Sequence, residues 1–227
     1  MNPENNALDR TYFIAGPPRI GKTILAFALA EKIKGHVVST DSIRNAAKKG
    51  CPNKESDLFI INRAENVSED EWLKNHLENP EITVEHQNRE SKAIWPSLVS
   101  FCNSFCEDDA VHIVEGVAIL PALVSQMKNK PEHVIFVGNT SDSHLQAMLD
   151  HADRFPNKDW MRAMNYSKQR FEGMANFIKE MSFYFKTEAE KYGFPYYEIS
   201  DDDFENSIDK IVKSITAQVV LKEGSNW

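Results

Sequence analysis

Five short apolar runs are spaced along the chain, and each of them predicts a buried β-strand. Between the runs, apolar residues recur at helical spacing, which predicts helices that connect the strands. Strands that alternate with helices in this way predict an α/β fold, in which helices cover a parallel five-stranded sheet in three layers. The five runs cover residues 11–15, 36–39, 111–115, 133–138 and 195–199.

The helical pattern between the strands is longest in the middle of the chain and near its end. Pro96 should bend the middle helix or begin a new segment within it, because proline removes a backbone donor. We expect Gln87, Arg89 and Glu90 on the exposed face of that helix, and a place at a binding site is the alternative for each. Helices are predicted from Gly21 to about Gly35, around Ile43 and Arg44, and at 54–63, 69–78, 82–106, 142–150, 162–190 and 203–221.

Length, charge and cysteine content narrow the class of protein. A chain of 227 residues suffices for one α/β domain with helical additions. A formal net charge of −8 argues against a large surface for nucleic acid. We expect no membrane span and no signal peptide, since no long apolar stretch is present. Three cysteines are too few for a disulfide framework, which favours a cytoplasmic location.

The strongest chemical signal is the segment GPPRIGKT, which lies between the first strand and the following helix. Such a loop turns backbone N–H groups around a β-phosphate, and the helix adds its N-terminal partial positive charge. Lys22 can reach the β- and γ-phosphates, while the Thr23 hydroxyl can ligate Mg²⁺. The sequence therefore predicts binding of ATP and Mg²⁺ at Gly16, Pro17, Pro18, Arg19, Ile20, Gly21, Lys22, Thr23 and Ile24.

Asp41 and Arg44 follow directly on the second strand, in the segment STDSIR. Ligands of open parallel sheets bind outside the carboxyl ends of the strands, so this segment should face the loop. A carboxylate there could accept the proton of an attacking hydroxyl, and Arg44 could hold an anionic group of the acceptor. The alternative is that Ser39, Thr40 and Asp41 cap the next helix and that Arg44 is solvated.

Glu115 ends the third apolar strand, in the segment VEGVAILP. A charge at the end of so apolar a strand is costly unless it has a partner. Nucleotide-binding proteins with this type of loop place an acidic group near Mg²⁺ and its waters, so we expect Glu115 to contact the metal through water. A structural salt bridge is the alternative.

The three segments occur in the same order as in the P-loop small-molecule kinases, a group that includes adenylate, shikimate and gluconate kinases. The chain resembles this group. It is most similar in these motifs to 2-phosphoglycerate kinase. The resemblance implies that Asp41, Arg44 and Glu115 line the acceptor side. It also implies one P-loop kinase domain with its core at 11–43, 107–149 and 191–222, a helical acceptor-binding insertion at about 44–95 and a lid at about 150–170.

The chain departs from that group at two places. Pro17, Pro18 and Arg19 stand where many relatives carry small residues, so Arg19 reaches either a phosphate or solvent. Residues 50–95 match no segment of those kinases, and they lie where such enzymes hold the acceptor. The motifs therefore do not identify the acceptor.

Three arginines lie in the expected lid, where this class brings arginine onto the transferring phosphoryl group. Arg162 and Arg170 would share a broad face of one helix, given their spacing of eight residues. We assign Arg154 to catalysis together with Lys22 and Asp41, and we assign Arg162 to acceptor binding. An ordinary solvated surface is the alternative for each arginine.

These features predict a kinase that transfers the γ-phosphoryl group of ATP to a hydroxyl of a small metabolite, which we expect to be anionic. A nucleoside or nucleotide monophosphate kinase is one alternative, although Asp41 stands where adenylate kinase has a glycine. A regulator that binds nucleotide and transfers nothing is another. The fourth strand ends in VGNTSD, which lacks a guanine signature and so disfavours a GTPase. The oligomeric state is left open.

Overall fold

The computed structural model of the protein describes residues 8, 10–107, 110–131 and 133–223. It confirms an α/β architecture, with a five-stranded parallel sheet and helices on both sides of it. The strands lie in the order β2-β3-β1-β4-β5, and each begins and ends within one residue of its predicted bounds. They are β1 (Thr11–Ala15), β2 (His36–Ser39), β3 (His112–Gly116), β4 (His133–Gly138) and β5 (Tyr196–Glu198).

Ten α-helices connect and cover the strands in the described part of the chain. None of these helices is both long and apolar enough to cross a lipid bilayer. A π-helical turn covers Lys74–Glu78, and short 3₁₀ turns cover Asp57–Phe59 and Ser104–Glu107. The helices are α1 (Lys22–Ile33), α2 (Thr40–Gly50), α3 (Ile60–Glu65), α4 (Glu69–Leu73), α5 (Pro80–Asn103), α6 (Pro121–Ser125), α7 (His144–Arg154), α8 (Trp160–Ala163), α9 (Lys168–Lys191) and α10 (Phe204–Glu223).

The prediction of a single helix at 162–190 is wrong, because the structure has two helices there. Asn165 adopts a left-handed conformation with φ 55°, which no helix interior accommodates. Ser167 then caps α9, since its hydroxyl accepts a hydrogen bond from the Arg170 N–H at 3.2 Å. Arg162 and Arg170 consequently lie on different helices. In α5, by contrast, Pro96 lies inside one continuous helix and begins no new segment.

The core lies on both faces of the sheet, and every residue of β1 and β3 is buried. On one face, Phe185 of α9 packs on Phe136 of β4, with ring centroids 5.8 Å apart. Leu25 and Leu29 of α1 are fully buried, and α1 contacts α10. Strands that are buried on both faces have unbroken apolar sequences, which explains why the apolar runs predicted these strands correctly.

The segment between α2 and α5 folds against the body of the protein through Trp72. This side chain is fully buried and stacks on His76, with ring centroids 3.6 Å apart. Gly173 of α9 permits the close approach, because a Cβ atom there would lie 2.8 Å from the Trp72 ring. The segment thereby forms one wall of a cleft at the carboxyl edge of the sheet.

Candidate functional site

The loop from Gly16 to Thr23 connects the centre of the sheet to α1. A Cβ atom on Gly16 would lie 2.1 Å from the Val137 carbonyl oxygen, so only glycine allows the loop to pass this close to β4. Arg19 and Gly21 both have positive φ, at 62° and 93°, and they turn the chain into the helix. The loop geometry therefore depends on glycine at two of its eight positions.

The N-terminus of α1 has no cap of its own. Gly21 supplies no side-chain hydrogen bond, and the first turn contains no acidic residue. The first N–H groups of a helix have no acceptor within it, and together with the helix dipole they favour an anion. In α2, α4, α8 and α9, by contrast, a serine or aspartate side chain caps the N-terminus.

Lys22 stands at this uncapped helix end and is only 7% exposed. Its Nζ atom donates a hydrogen bond to the Pro17 carbonyl oxygen at 2.5 Å. Burial lowers the pKa of Lys22 to about 8, and the nearby carboxylates of Glu115 and Asp41 only partly oppose this shift. The two carboxylates thus do not fully offset the cost of burying the ammonium charge, and a bound anion would stabilise the charged form.

Thr23 and Glu115 form the second contact between the loop and the sheet. The Thr23 hydroxyl donates a hydrogen bond to Glu115 Oε1 at 3.2 Å, and Glu115 is only 4% exposed. Hydroxyl and carboxylate oxygens suit Mg²⁺, which keeps most of its remaining ligands as water and phosphate oxygens. Among the described residues, neither a group of three metal-ligating side chains nor a salt bridge to Glu115 is present.

Asp41 and Arg44 lie on the first turns of α2, beside the loop. Ser39 caps this helix, because its hydroxyl accepts a hydrogen bond from the Asp41 N–H at 3.3 Å. The Asp41 carboxylate, 59% exposed, instead pairs with Arg44 at 3.3 Å. Arg44 also lies 3.7 Å from Glu90 and its side chain is 27% exposed, so it is only partly solvated, unlike in the alternative interpretation.

Glu90 and Gln87 were expected on an exposed face of the long helix, and this is wrong for both. Their side chains are 0% and 5% exposed because this part of α5 is packed between α2, α3 and α9. Lys48 Nζ lies 2.5 Å from Glu90 Oε1. Burial raises the pKa of Glu90, while Lys48 and Arg44 oppose the shift. Arg89 is exposed, as expected.

A cleft of about 460 Å³ opens beside the loop, between α2, the segment before α5, and residues 160–177. Pro18, Asp41 and Val117 line it at the end nearest the loop. Apolar side chains dominate its walls, and sequence patterns alone did not assign them to a site. The other lining residues are Arg44, Ile61, Ala64, Glu65, His76, Thr83, His86, Gln87, Trp160, Met164, Tyr166, Met174 and Phe177.

The three arginines assigned to a lid contact their own surroundings, and none of them lines this cleft. Arg154 lies over the Phe155 ring at 5.2 Å. Arg162 pairs with the exposed carboxylate of Asp153. Arg170 pairs with Glu69 of α4 at 2.8 Å. Their assignment to phosphoryl transfer stays a prediction, because each would have to leave its present partner.

Asp159 contacts the loop, and no sequence pattern predicted this contact. Its fully buried side chain pairs with Arg19 of the loop at 2.6 Å. The other carboxylate oxygen accepts a hydrogen bond from the Arg162 N–H at 3.0 Å and caps α8. The spacing of Asp159 and Arg162 favours a cap, but no sequence signal connects residues 140 positions apart. Arg19 is therefore held by Asp159 with 11% of its side chain exposed, and its contact with a phosphate stays a prediction.

No protein-family model matches the chain, and no curated protein is significantly similar to it in sequence. The resemblance to small-molecule kinases therefore depends on three short motifs, GPPRIGKT, STDSIR and VEGVAILP. The structure brings residues of all three motifs to one edge of the sheet, where β3 pairs with β1 and β2 in parallel.

Proposed function

We propose that the protein is an ATP- and Mg²⁺-dependent kinase, which transfers a phosphoryl group to a hydroxyl of a small molecule bound in the cleft. One observation carries this proposal. The incompletely neutralised ammonium group of Lys22 lies at an uncapped helix N-terminus, next to a cleft that Asp41 lines. The first feature favours a polyphosphate, and the second provides room for an acceptor beside it.

In this proposal the loop from Gly16 to Ile24 binds the nucleotide phosphates. Lys22 exchanges its contact with Pro17 for the β- and γ-phosphates. Thr23 would ligate Mg²⁺ and Glu115 would hold one of its waters, and their present contact at 3.2 Å fits these roles. Magnesium, when bound, would neutralise charge on the phosphate oxygens.

Asp41 would act on the acceptor. The acceptor oxygen forms a bond to the γ-phosphorus while the bond from that phosphorus to the β,γ-bridging oxygen breaks, and ADP leaves. The hydroxyl proton passes to the Asp41 carboxylate and then to water, to which Asp41 is 59% exposed. Arg44, on the next turn of α2, orients this carboxylate through their contact at 3.3 Å.

Arg154 remains our candidate for stabilising the transferring phosphoryl group, and Arg162 remains our candidate for binding the acceptor. Both lie in the segment 150–170, which is already attached to the loop through Asp159 and Arg19. To act there, both arginines would have to leave Phe155 and Asp153 and move toward the loop when nucleotide binds. We propose that this segment acts as a lid of the kinase.

The test is an acceptor panel in which ADP release is measured with Mg²⁺ present. A kinase gives slow ADP release alone and a large acceleration with one class of alcohol. Tight ATP binding without acceleration by any acceptor would favour the alternative of a nucleotide-binding regulator. Acceleration by nucleoside monophosphates would favour the monophosphate kinase.

A further inference from the structure

The apolar wall of the cleft is unusually exposed at two positions. Trp160 and Met164 are 43% and 61% exposed, and both side chains line the cleft. Single exposed apolar side chains are common, but these two face the same cavity as the buried side chains of Met174 and Phe177. Covering them with an apolar ligand would be favourable, because it would remove apolar surface from water.

The polar groups of the cleft offer little to a negatively charged ligand. Arg44 is the one arginine or lysine among the described residues that line the cleft, and it already pairs with Asp41. Glu65 also lines the cleft, and its Oε2 atom accepts hydrogen bonds from Trp72 and Tyr166 at 3.0 and 3.2 Å. An anion bound here would meet two carboxylates, and it would share Arg44 with Asp41 and Glu90, which already lie 3.3 and 3.7 Å from it.

The two histidines of the cleft add no positive charge near neutral pH. Burial lowers the pKa of His76 to about 4 and also lowers the pKa of His86. Both rings are therefore neutral hydrogen-bonding groups. Thr83 and Gln87, which also line the cleft, are neutral as well.

We propose that the acceptor is an uncharged molecule with an apolar, ring-containing body, which carries its reactive hydroxyl at the end nearest Asp41. The body lies against Trp160, Met164, Met174 and Phe177. This inference replaces the anionic acceptor expected from the sequence. It rests on the proposed function for the reaction, whereas the preference of the cleft for neutral ligands follows from its lining alone.

The preference is tested by comparing two probes with the same ring system, naphthaleneethanol and naphthaleneacetate. Binding is measured calorimetrically with the protein saturated in a non-hydrolysable ATP analogue and Mg²⁺. We expect the alcohol to bind at least about tenfold more tightly than the carboxylate, which leaves a buried charge poorly paired. Glycerate is the third probe and is expected to bind more weakly than the alcohol. Tighter binding of either anion, or no binding of the alcohol, would overturn the inference.

Substitutions in the apolar wall locate the binding site. Trp160→Ala and Met164→Ala should each weaken binding of naphthaleneethanol at least about fivefold, since each removes contact with the ring. Both side chains are partly exposed, so the fold should tolerate either change. Phe183→Ala is the matched control, because Phe183 is also 43% exposed but does not line the cleft. Unchanged binding in both wall variants would overturn the inference.

Phosphoryl transfer is measured separately, from ADP release and from the phosphorylated product. Binding of the alcohol with no transfer to any alcohol contradicts the proposed kinase and leaves the preference of the cleft intact. Transfer to glycerate in preference to the neutral alcohols contradicts the preference and leaves the kinase intact. The two failures are therefore distinguishable.

Discussion

Arg19 Nη2 lies 2.6 Å from Asp159 Oδ2, and this ion pair joins the phosphate-binding loop of the proposed kinase to the segment 150–170. The Asp159 side chain is fully buried and that of Arg19 is 11% exposed. Removal of one partner from a buried pair leaves the other charge poorly solvated, which costs more than the loss of an exposed pair. The pair should therefore matter both for stability and for the position of this segment.

We predict that Asp159→Asn lowers the free energy of unfolding by about 1–3 kcal/mol. Asparagine can still cap α8 through the Arg162 N–H, so the loss reports the ion pair rather than the cap. The matched control is Asp153→Asn, because Asp153 is the exposed partner of Arg162, and a cost below about 1 kcal/mol is expected there. Urea unfolding of both variants is the measurement. Equal effects would mean that the Arg19 contact contributes nothing specific.

Lys22→Ala should abolish nucleotide-dependent chemistry while the protein stays folded. The substitution removes a buried ammonium group whose pKa is lowered by burial, so it also removes a desolvation cost. We expect at least about a hundredfold loss of ADP release and weaker ATP binding, with native circular dichroism. Lys179→Ala, which removes an exposed ion pair with Asp142, is the control. Native ATP affinity and turnover in the Lys22 variant would refute the nucleotide site.

The strands and the functional importance of their carboxyl ends could be predicted from the sequence for a simple physical reason. β1 and β3 are buried on both faces, so they are continuous apolar runs, and parallel strands place their carboxyl ends together. Thr23, Asp41 and Glu115 could therefore be assigned to one neighbourhood before any contact was known. The contact of Thr23 with Glu115 at 3.2 Å agrees with that assignment.

The remaining parts of the site depend on contacts that no local pattern encodes. Asn165 ends α8 without a proline or glycine, since asparagine tolerates the left-handed region that the turn requires. Trp160 and Met164 have the spacing of any buried helix face, and only the fold shows that they line a cleft. Arg19 and Asp159 pair across 140 residues. Tertiary packing decides each of these features.

The buried side chain of His76 in the cleft should make the free energy of unfolding depend on pH. Burial lowers the pKa of His76 to about 4 from 6.5, with Arg170 and His86 adding to the shift and a hydrogen bond to the Trp72 carbonyl opposing it. Between these two values the unfolded chain binds a proton that the folded protein does not, so stability falls as the pH falls through this window. His76→Gln should reduce the loss between pH 7 and pH 4 by on the order of 2 kcal/mol.

Urea unfolding at several pH values measures this effect, and the change with pH is compared rather than the stability at one pH. Glutamine cannot take up the proton, yet its amide can still donate to the Trp72 carbonyl. His36→Gln is the control, because His36 is exposed at the start of β2 and its replacement should leave the acid limb unchanged. An acid limb that is equally steep in the His76 variant would contradict the prediction.

Asp41→Asn separates a kinase from a protein that only binds nucleotide. Ser39 caps α2 and Arg44 keeps its contact with Glu90, so the amide should leave the local structure intact. What the variant loses is the charge that orients the acceptor hydroxyl and takes its proton, a contribution commonly worth about 10²–10⁴ in rate. ATP·Mg²⁺ should therefore bind normally, while transfer to the acceptor falls at least about a hundredfold. Asp57→Asn provides the control, since Asp57 also pairs with an arginine but at the surface, and it should transfer at the native rate. A native rate in the Asp41 variant would leave this carboxylate with no role beyond its ion pair, and the proton would then have to pass directly to water or to the γ-phosphate itself.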